Sequence, residues 1–200
     1  MANPTVAALF VDPKGVYASD PRCDCWPVAR DARKYDGALP VVAHPPCQLW
    51  GAFAAINFQR WGGEHNLPGN DGGCFESALR SVFACGGVLE HPANSKAWDH
   101  FFLLRPEFGC WTRRWAEAPY WVTEVWQSAY GHKARKRTWL LYVGLVEPFP
   151  LRWQRIDGTH RIGHDKHQRS VKPRLEGRAA SATPPDFSDV LIRLAEGCGL

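Results

Sequence analysis

The chain has 200 residues, 45% hydrophobic and 22% charged, which suits a single globular domain with its own core and excludes a disordered or collagen-like chain. A net charge of +4 permits an anionic partner without demanding one, and an odd count of seven cysteines argues against a disulfide framework. No basic region followed by a long apolar run opens the chain, so a cytoplasmic protein without membrane contact is expected.

Residues 6–11 read as a first buried strand, closed by the turn signal Asp12-Pro13-Lys14-Gly15. In a strand-first α/β fold this turn faces a ligand. Residues 17–35 read as irregular, then helical from Trp26 to Tyr35, with Asp31 and Arg33 just ahead of a second strand at 41–43. Two prolines stop that strand, and Cys47 and Gln48 follow at once. A thiol at the carboxyl end of a strand stands where open α/β sheets bind ligands.

Residues 48–72 read as a long loop of glycine, asparagine and aromatics, including Trp50, Phe53, Phe58, Arg60 and Trp61. Phe75, Ala78, Leu79, Val82 and Phe83 then share one helical face, with Asp71 placed to cap it and Gly86-Gly87 to end it. Val88-Leu89 predicts a very short strand ended by Glu90-His91-Pro92. If the two strands are parallel neighbours, Glu90 and Cys47 share a rim. Residues 94–104 read as a second helix and 121–126 as an alternating strand. The basic run His132-Lys133-Ala134-Arg135-Lys136-Arg137 leads into a strand at 138–143.

Residues 152–178 carry eight Lys or Arg and His160, His164 and His167, with few apolar residues. They read as a basic arm suited to phosphate, through Arg155 and Arg161, or as a linker. Thr183-Pro184-Pro185-Asp186 opens a last helix, with Thr183 as its cap. Most of the ten tryptophans are assigned to the core, the rest to a stacking surface. Cys23 and Cys25 are too close for a zinc knuckle, and with His44 and Cys47 no second close pair completes a site, so no metal is assigned.

In this order the motifs resemble the DNA cytosine-5 methyltransferases. Pro45-Pro46-Cys47-Gln48 is similar to that family's Pro-Cys-Gln nucleophile motif, and Glu90-His91-Pro92 to its Glu-Asn-Val motif. Tyr130-Gly131 with Arg135-Lys136-Arg137 looks like its Tyr-Gly-x-Pro-Gln-x-Arg-x-Arg block. The resemblance spans residues 6–144. It departs at the first turn, where one glycine stands for several, at Ala134 in place of glutamine, and in having no large target-recognition domain.

The resemblance implies a reduced Rossmann-like methyltransferase sheet flanked by helices, with a core over 1–150 and a basic arm and closing helix over 151–200. It implies C5-methylation of cytosine in DNA with S-adenosylmethionine, in a short, phage-type enzyme of a bacterial or phage-infected cell. Cys47 would add to C6 of the base and Glu90 would hold the N3 and exocyclic amine edge. Arg135 and Arg137 would neutralise phosphate or the base carbonyl. Phe10, Asp12, Gly15, Asp31 and Pro46 would face the cofactor. Gln48, Trp50, Lys133, Lys136, Arg155 and Arg161 would meet DNA, and a protein partner or second copy would complete a chain this short. Two other readings stay open: a pyrimidine-modifying enzyme using a nucleotide or another donor, and a non-catalytic DNA-binding module keeping the fold.

Overall fold

Short apolar runs of three to seven residues can be buried only by pairing with one another. A computed structural model describes residues 3–51, 53–113, 119–162 and 171–200. Strands β1 (Val6–Leu9), β2 (Cys23–Trp26), β3 (Val41–Ala43), β4 (Gly87–Pro92), β5 (Tyr120–Trp126) and β6 (Arg137–Val143) form one sheet in the order β2-β1-β3-β4-β6-β5. The first four are parallel, and β6 runs antiparallel to both β4 and β5. This is an α/β fold with a six-stranded mixed sheet flanked by helices, compatible with a Rossmann-like architecture.

Alternation along the strands makes two cores. Val6, Ala8, Val42, Val88, Leu140 and Tyr142 face one side, covered by the last helix, α5 (Pro185–Glu196), through Phe187, Leu191, Ile192 and Leu194. Ala7, Leu9, Val41, Ala43, Leu89 and Leu141 face the other, under Phe75, Ala78 and Val82 of α2 (Cys74–Cys85) and Trp98 of α3 (Lys96–His100). Gly87 is required where β3 meets β4: a Cβ there would stand 2.0 Å from the Val41 carbonyl oxygen, and φ is +112°.

Several expectations are corrected. The helix expected from Trp26 to Tyr35 is instead the end of β2 and two 3-10 turns (Val28–Arg30 and Ala32–Lys34), separated by Asp31 at φ +53°. Strand β2 escaped notice because its half-buried Cys-Asp-Cys-Trp has no apolar run; its pairing with β1 makes it a strand. The loop at 48–72 holds α1 (Ala54–Trp61) and a 3-10 turn (Glu64–Asn66). The helix expected at 94–104 is only α3, capped by the Ser95 hydroxyl and followed by Phe102 at φ +54°. Strand β4 does not end before Glu90, because β6 pairs with it as far as Pro92. Thr183 makes no capping bond to α5; Pro184 takes the cap position.

The segment after residue 150 is anchored on the core over its first half. Trp153 Nε1 donates to Thr123 Oγ1 at 3.0 Å, and Phe149 and Leu151 pack against the core that α5 covers. It continues into β7 (Arg161–Ile162), β8 (Arg174–Leu175) and α4 (Gly177–Ser181). His164, Lys166, His167 and Arg169 of the expected arm lie outside the described residues. Among the described residues no helix is long and apolar enough to cross a membrane.

Candidate active site

The chain leaves β1 for β2 on one side and then returns to place β3 on the other, so the strand order reverses at β1 and β3. Ligands of open α/β sheets bind outside the carboxyl ends of the strands at such a switch point. Here those ends are Phe10 to Tyr17 and His44 to Gln48, and they open on a cavity of about 860 Å³. Glu90 and Pro92 of β4, the 135–137 run and residues 177–183 complete its walls. A volume of this size takes a nucleoside-sized ligand.

Parallel register brings its reactive groups together. Ala43 pairs with Leu89, so His44 and Glu90 emerge side by side from neighbouring strands. His44 Nδ1 lies 2.9 Å from Glu90 Oε2, and His44 Nε2 lies 2.7 Å from Tyr17 Oη. Gln127 Nε2 donates to Glu90 Oε1 at 3.0 Å and to Thr138 Oγ1 at 2.9 Å. Glu90 is 6% exposed. Burial by itself would raise its carboxyl, but the Lys136 ammonium and then the His44 hydrogen bond hold it down at about 2. Glu90 is therefore ionised and acceptor-only. His44 Nδ1–H then donates to Glu90, which leaves Nε2 to accept from the Tyr17 hydroxyl.

Cys47 follows the Pro-Pro turn, half-buried, and its carbonyl caps the next turn by accepting from Trp50 N at 3.1 Å. Burial first, and then the Glu90 charge, push its thiol up; Lys136 pulls it down. Lys136 thus acts on both the thiol and the carboxylate, while its Nζ donates to the Ser181 carbonyl at 3.0 Å. The resemblance places it among the DNA contacts; the fold makes it the cation that acts on the reactive groups of the cavity. The two arginines that flank it also border the cavity, but their guanidinium groups are engaged by other carboxylates. Arg137 makes a bidentate pair with Glu124, at 2.7 and 2.8 Å. Arg135 lies 3.7 Å from Asp157 and over the Trp126 ring.

Phe10, Asp12, Gly15, Pro46, Cys47, Gln48, Glu90 and the 135–137 run all line this one cavity. Trp50, Asp31, Lys133, Arg155 and Arg161 do not. Trp50 is 4% exposed, donates from Nε1 to Asp71 Oδ2 at 2.8 Å and packs on Phe75 and Phe101, so it anchors the loop and offers no stacking surface. The Asp31 carboxylate is taken by Arg33 at 2.7 and 2.9 Å, outside the cavity. Lys133 is exposed away from it, and Arg155 is exposed over Phe108. Arg161 Nε donates to the Lys172 carbonyl.

The acidic residues expected to hold S-adenosylmethionine are not presented to it. Asp31 is outside, and Asp12 is bound by Arg178 Nε of α4 at 2.7 Å; the same guanidinium also reaches the Lys14 carbonyl. As folded, Asp12 is engaged by Arg178 and Asp31 lies outside, while Phe10, Gly15 and Pro46 line the cavity.

Sequence reading missed Tyr17, Gln127 and the partnership of His44. Tyr17 sits in a segment with no periodicity, and nothing local marks it. His91, next to Glu90, points to the opposite face of β4 by strand alternation, where it stacks on Trp98 and meets the Phe75 edge. Burial lowers its imidazole to about 4. No family model matches the chain, and no curated protein or solved structure is significantly similar to it. Fold and site together define an α/β protein with a thiol, a carboxylate and an ammonium in one switch-point cavity.

Proposed function

We propose that the chain is a pyrimidine-modifying enzyme of the cytosine-5 methyltransferase type, acting on a base in DNA through Cys47. The observation that carries this reading is the meeting of Cys47, Glu90 and Lys136 around one cavity at the topological switch point. Pyrimidine C5 is a weak nucleophile until a thiolate adds at C6 and pushes electron density onto it. Burial and the Glu90 charge keep the Cys47 thiol protonated at rest, so its proton passes to solvent as the sulfur adds, and Lys136 favours the thiolate by charge. An ionised Glu90 accepts from the exocyclic amine of cytosine, and N3, which takes a proton from solvent as the sulfur adds, donates to the same carboxylate, which steadies the charge that develops on the ring. The target base has to leave the duplex to reach the thiol, and exposed cations such as Lys133 and Arg155 supply phosphate contacts. S-adenosylmethionine is the methyl donor this reading names. Its binding requires the Asp12–Arg178 pair to open.

A second reading, a free nucleotide as substrate, is favoured by residues 177–183, which wall the same cavity. One experiment separates the two. The protein is incubated with an oligonucleotide containing 5-azacytosine, whose C6 is electrophilic, and in parallel with the corresponding nucleotide. A covalent complex with the oligonucleotide, mapped to Cys47 and absent in Cys47→Ser, supports the DNA reading. A complex with the nucleotide alone supports the second, and none with either overturns both.

A further inference from the structure

Glu90 ends a hydrogen-bonded chain whose other two members thiol addition does not use: Tyr17 Oη to His44 Nε2 at 2.7 Å, then His44 Nδ1 to Glu90 Oε2 at 2.9 Å. All three residues line the cavity together with Cys47. The order is hydroxyl, imidazole, carboxylate, the arrangement in which a carboxylate fixes the imidazole tautomer and a hydroxyl gives up its proton to the far nitrogen. Tyr17 comes from the β1–β2 connection, His44 from the end of β3 and Glu90 from β4, so three separate segments converge on it. Glu90 is itself braced from behind by Gln127.

Resting on the proposed Cys47 addition, we infer that Tyr17, His44 and Glu90 form the proton relay that removes hydrogen from C5 of the pyrimidine adduct. Once the Cys47 sulfur is bonded to C6, the ring must shed the C5 proton to recover its double bond. Tyr17 Oη takes that proton as its own passes to His44 Nε2. The C5–H electron pair becomes the C5–C6 π bond, and the C6–S pair departs on the Cys47 sulfur. The imidazolium so formed faces the ionised Glu90, and it returns its proton to solvent when the site opens. Nothing is oxidised or reduced, and no donor molecule is consumed. In this step Tyr17 is the group that meets C5; His44 acts through it, and Glu90, which also holds the amine edge of the base, orients His44.

Burial and the Glu90 charge keep the Tyr17 hydroxyl protonated at rest, so it starts as the donor to His44 that this sequence needs. The step applies whichever electrophile reaches C5, and also when none does. In that case C5 is protonated by solvent, and the relay removes either hydrogen.

The test therefore needs no methyl donor. An oligonucleotide with tritium at C5 of cytosine is incubated with wild type, Tyr17→Phe and His44→Gln, and tritium release to water is followed. Trapping on the 5-azacytosine oligonucleotide, which has no C5 hydrogen, is measured alongside. The expected result is that Tyr17→Phe traps as wild type does and that both variants release tritium at least about a hundredfold more slowly, the usual scale of general base catalysis. A primary isotope effect on release, larger in Tyr17→Phe than in wild type, is expected with it. Release at the wild-type rate in both variants would overturn the relay. So would loss of trapping in step with loss of release in Tyr17→Phe, which keeps the ring and its packing, since the network would then only shape the pocket. A wild type that neither traps nor releases tritium fails the underlying reading instead, and is told apart because the variants play no part in it.

Discussion

His44 and Glu90 are 46 residues apart in the chain, yet their side chains meet at 2.9 Å because β3 and β4 are parallel neighbours in the register Ala43 to Leu89. With the Lys136 ammonium that contact keeps the carboxylate ionised, and the carboxylate adds to burial in pushing up the Cys47 thiol.

The two charges that act on Cys47 oppose each other, so removing them moves the thiol in opposite directions. Glu90→Gln lowers the Cys47 pKa and Lys136→Met raises it. Alkylation of the Cys47 peptide by iodoacetamide, followed by mass spectrometry across pH 6–10 as a roughly chosen span of the thiol range, is expected to shift to lower pH in the first variant and to higher pH in the second. Shifts of the same sign in both would break the assignment.

Two buried groups make the fold sensitive to acid. His91 is lowered to about 4 and Glu90 to about 2, so both bind protons more readily when unfolded. The His91 contribution is present above its ordinary pKa of about 6.5 and is lost as pH falls toward 4. The Glu90 contribution is present above about 4.5 and is lost toward 2. Urea denaturation is expected to show a loss of about 3 kcal/mol between pH 7 and 4, because each tenfold difference in proton affinity between the folded and unfolded chain is worth about 1.4 kcal/mol. His91→Leu should flatten that portion of the curve and leave the part below it.

Asp71 holds the entry to α2 and the loop after Cys47 at once. Its carboxylate accepts from the amides of Gly73, Cys74 and Phe75 and from Trp50 Nε1. Asp71→Ala is expected to cost about 1–3 kcal/mol, the range of a lost helix cap plus a buried donor left unpaired. Chemical denaturation measures this. A cost near zero would mean that the loop is held by Phe75 and Phe101 packing alone.

Arg178 neutralises Asp12 at the cavity mouth, and both side chains are roughly half exposed. Arg178→Ala frees the carboxylate for a cationic ligand. Calorimetric titration with S-adenosylmethionine should then show binding about two- to fivefold tighter than in wild type, the modest scale of an exposed ion pair. Unchanged or weaker binding would place that ligand away from the Asp12 turn.

Phosphate contact has its own signature. Neutralising Lys133 and Arg155 together is expected to weaken DNA binding for all sequences alike and to reduce the slope of log K against log salt by about two. An unchanged slope would assign phosphate contact to other cations.

Much of this architecture was legible in residue order. Apolar runs stopped by glycine or proline marked β1 and β3, the i, i+3, i+4 face marked α2, and the Thr-Pro-Pro signal marked α5. The Pro-Pro-Cys strand end and Glu90 were found by the same punctuation, and both belong to the cavity. What stayed hidden depended on partners distant in the chain. Strand β2 has no pattern of its own and is a strand because β1 is beside it. Trp50 looked like a surface aromatic, and Asp71 and Phe75 bury it. In the basic run, local spacing leaves the register uncertain by one residue, and a one-residue slip turns every side chain to the other face. The pairing of β6 between β4 and β5, with Glu124 there to take Arg137, leaves Lys136 on the cavity wall, where its charge acts on Glu90 and Cys47. The sequence by itself determined that Cys47 follows the end of β3 and that Glu90 adjoins a short apolar run, while pairing with β6 decided where β4 ends. The tertiary structure decided which charges face those two residues, because charge acts through space and depends on register across strands.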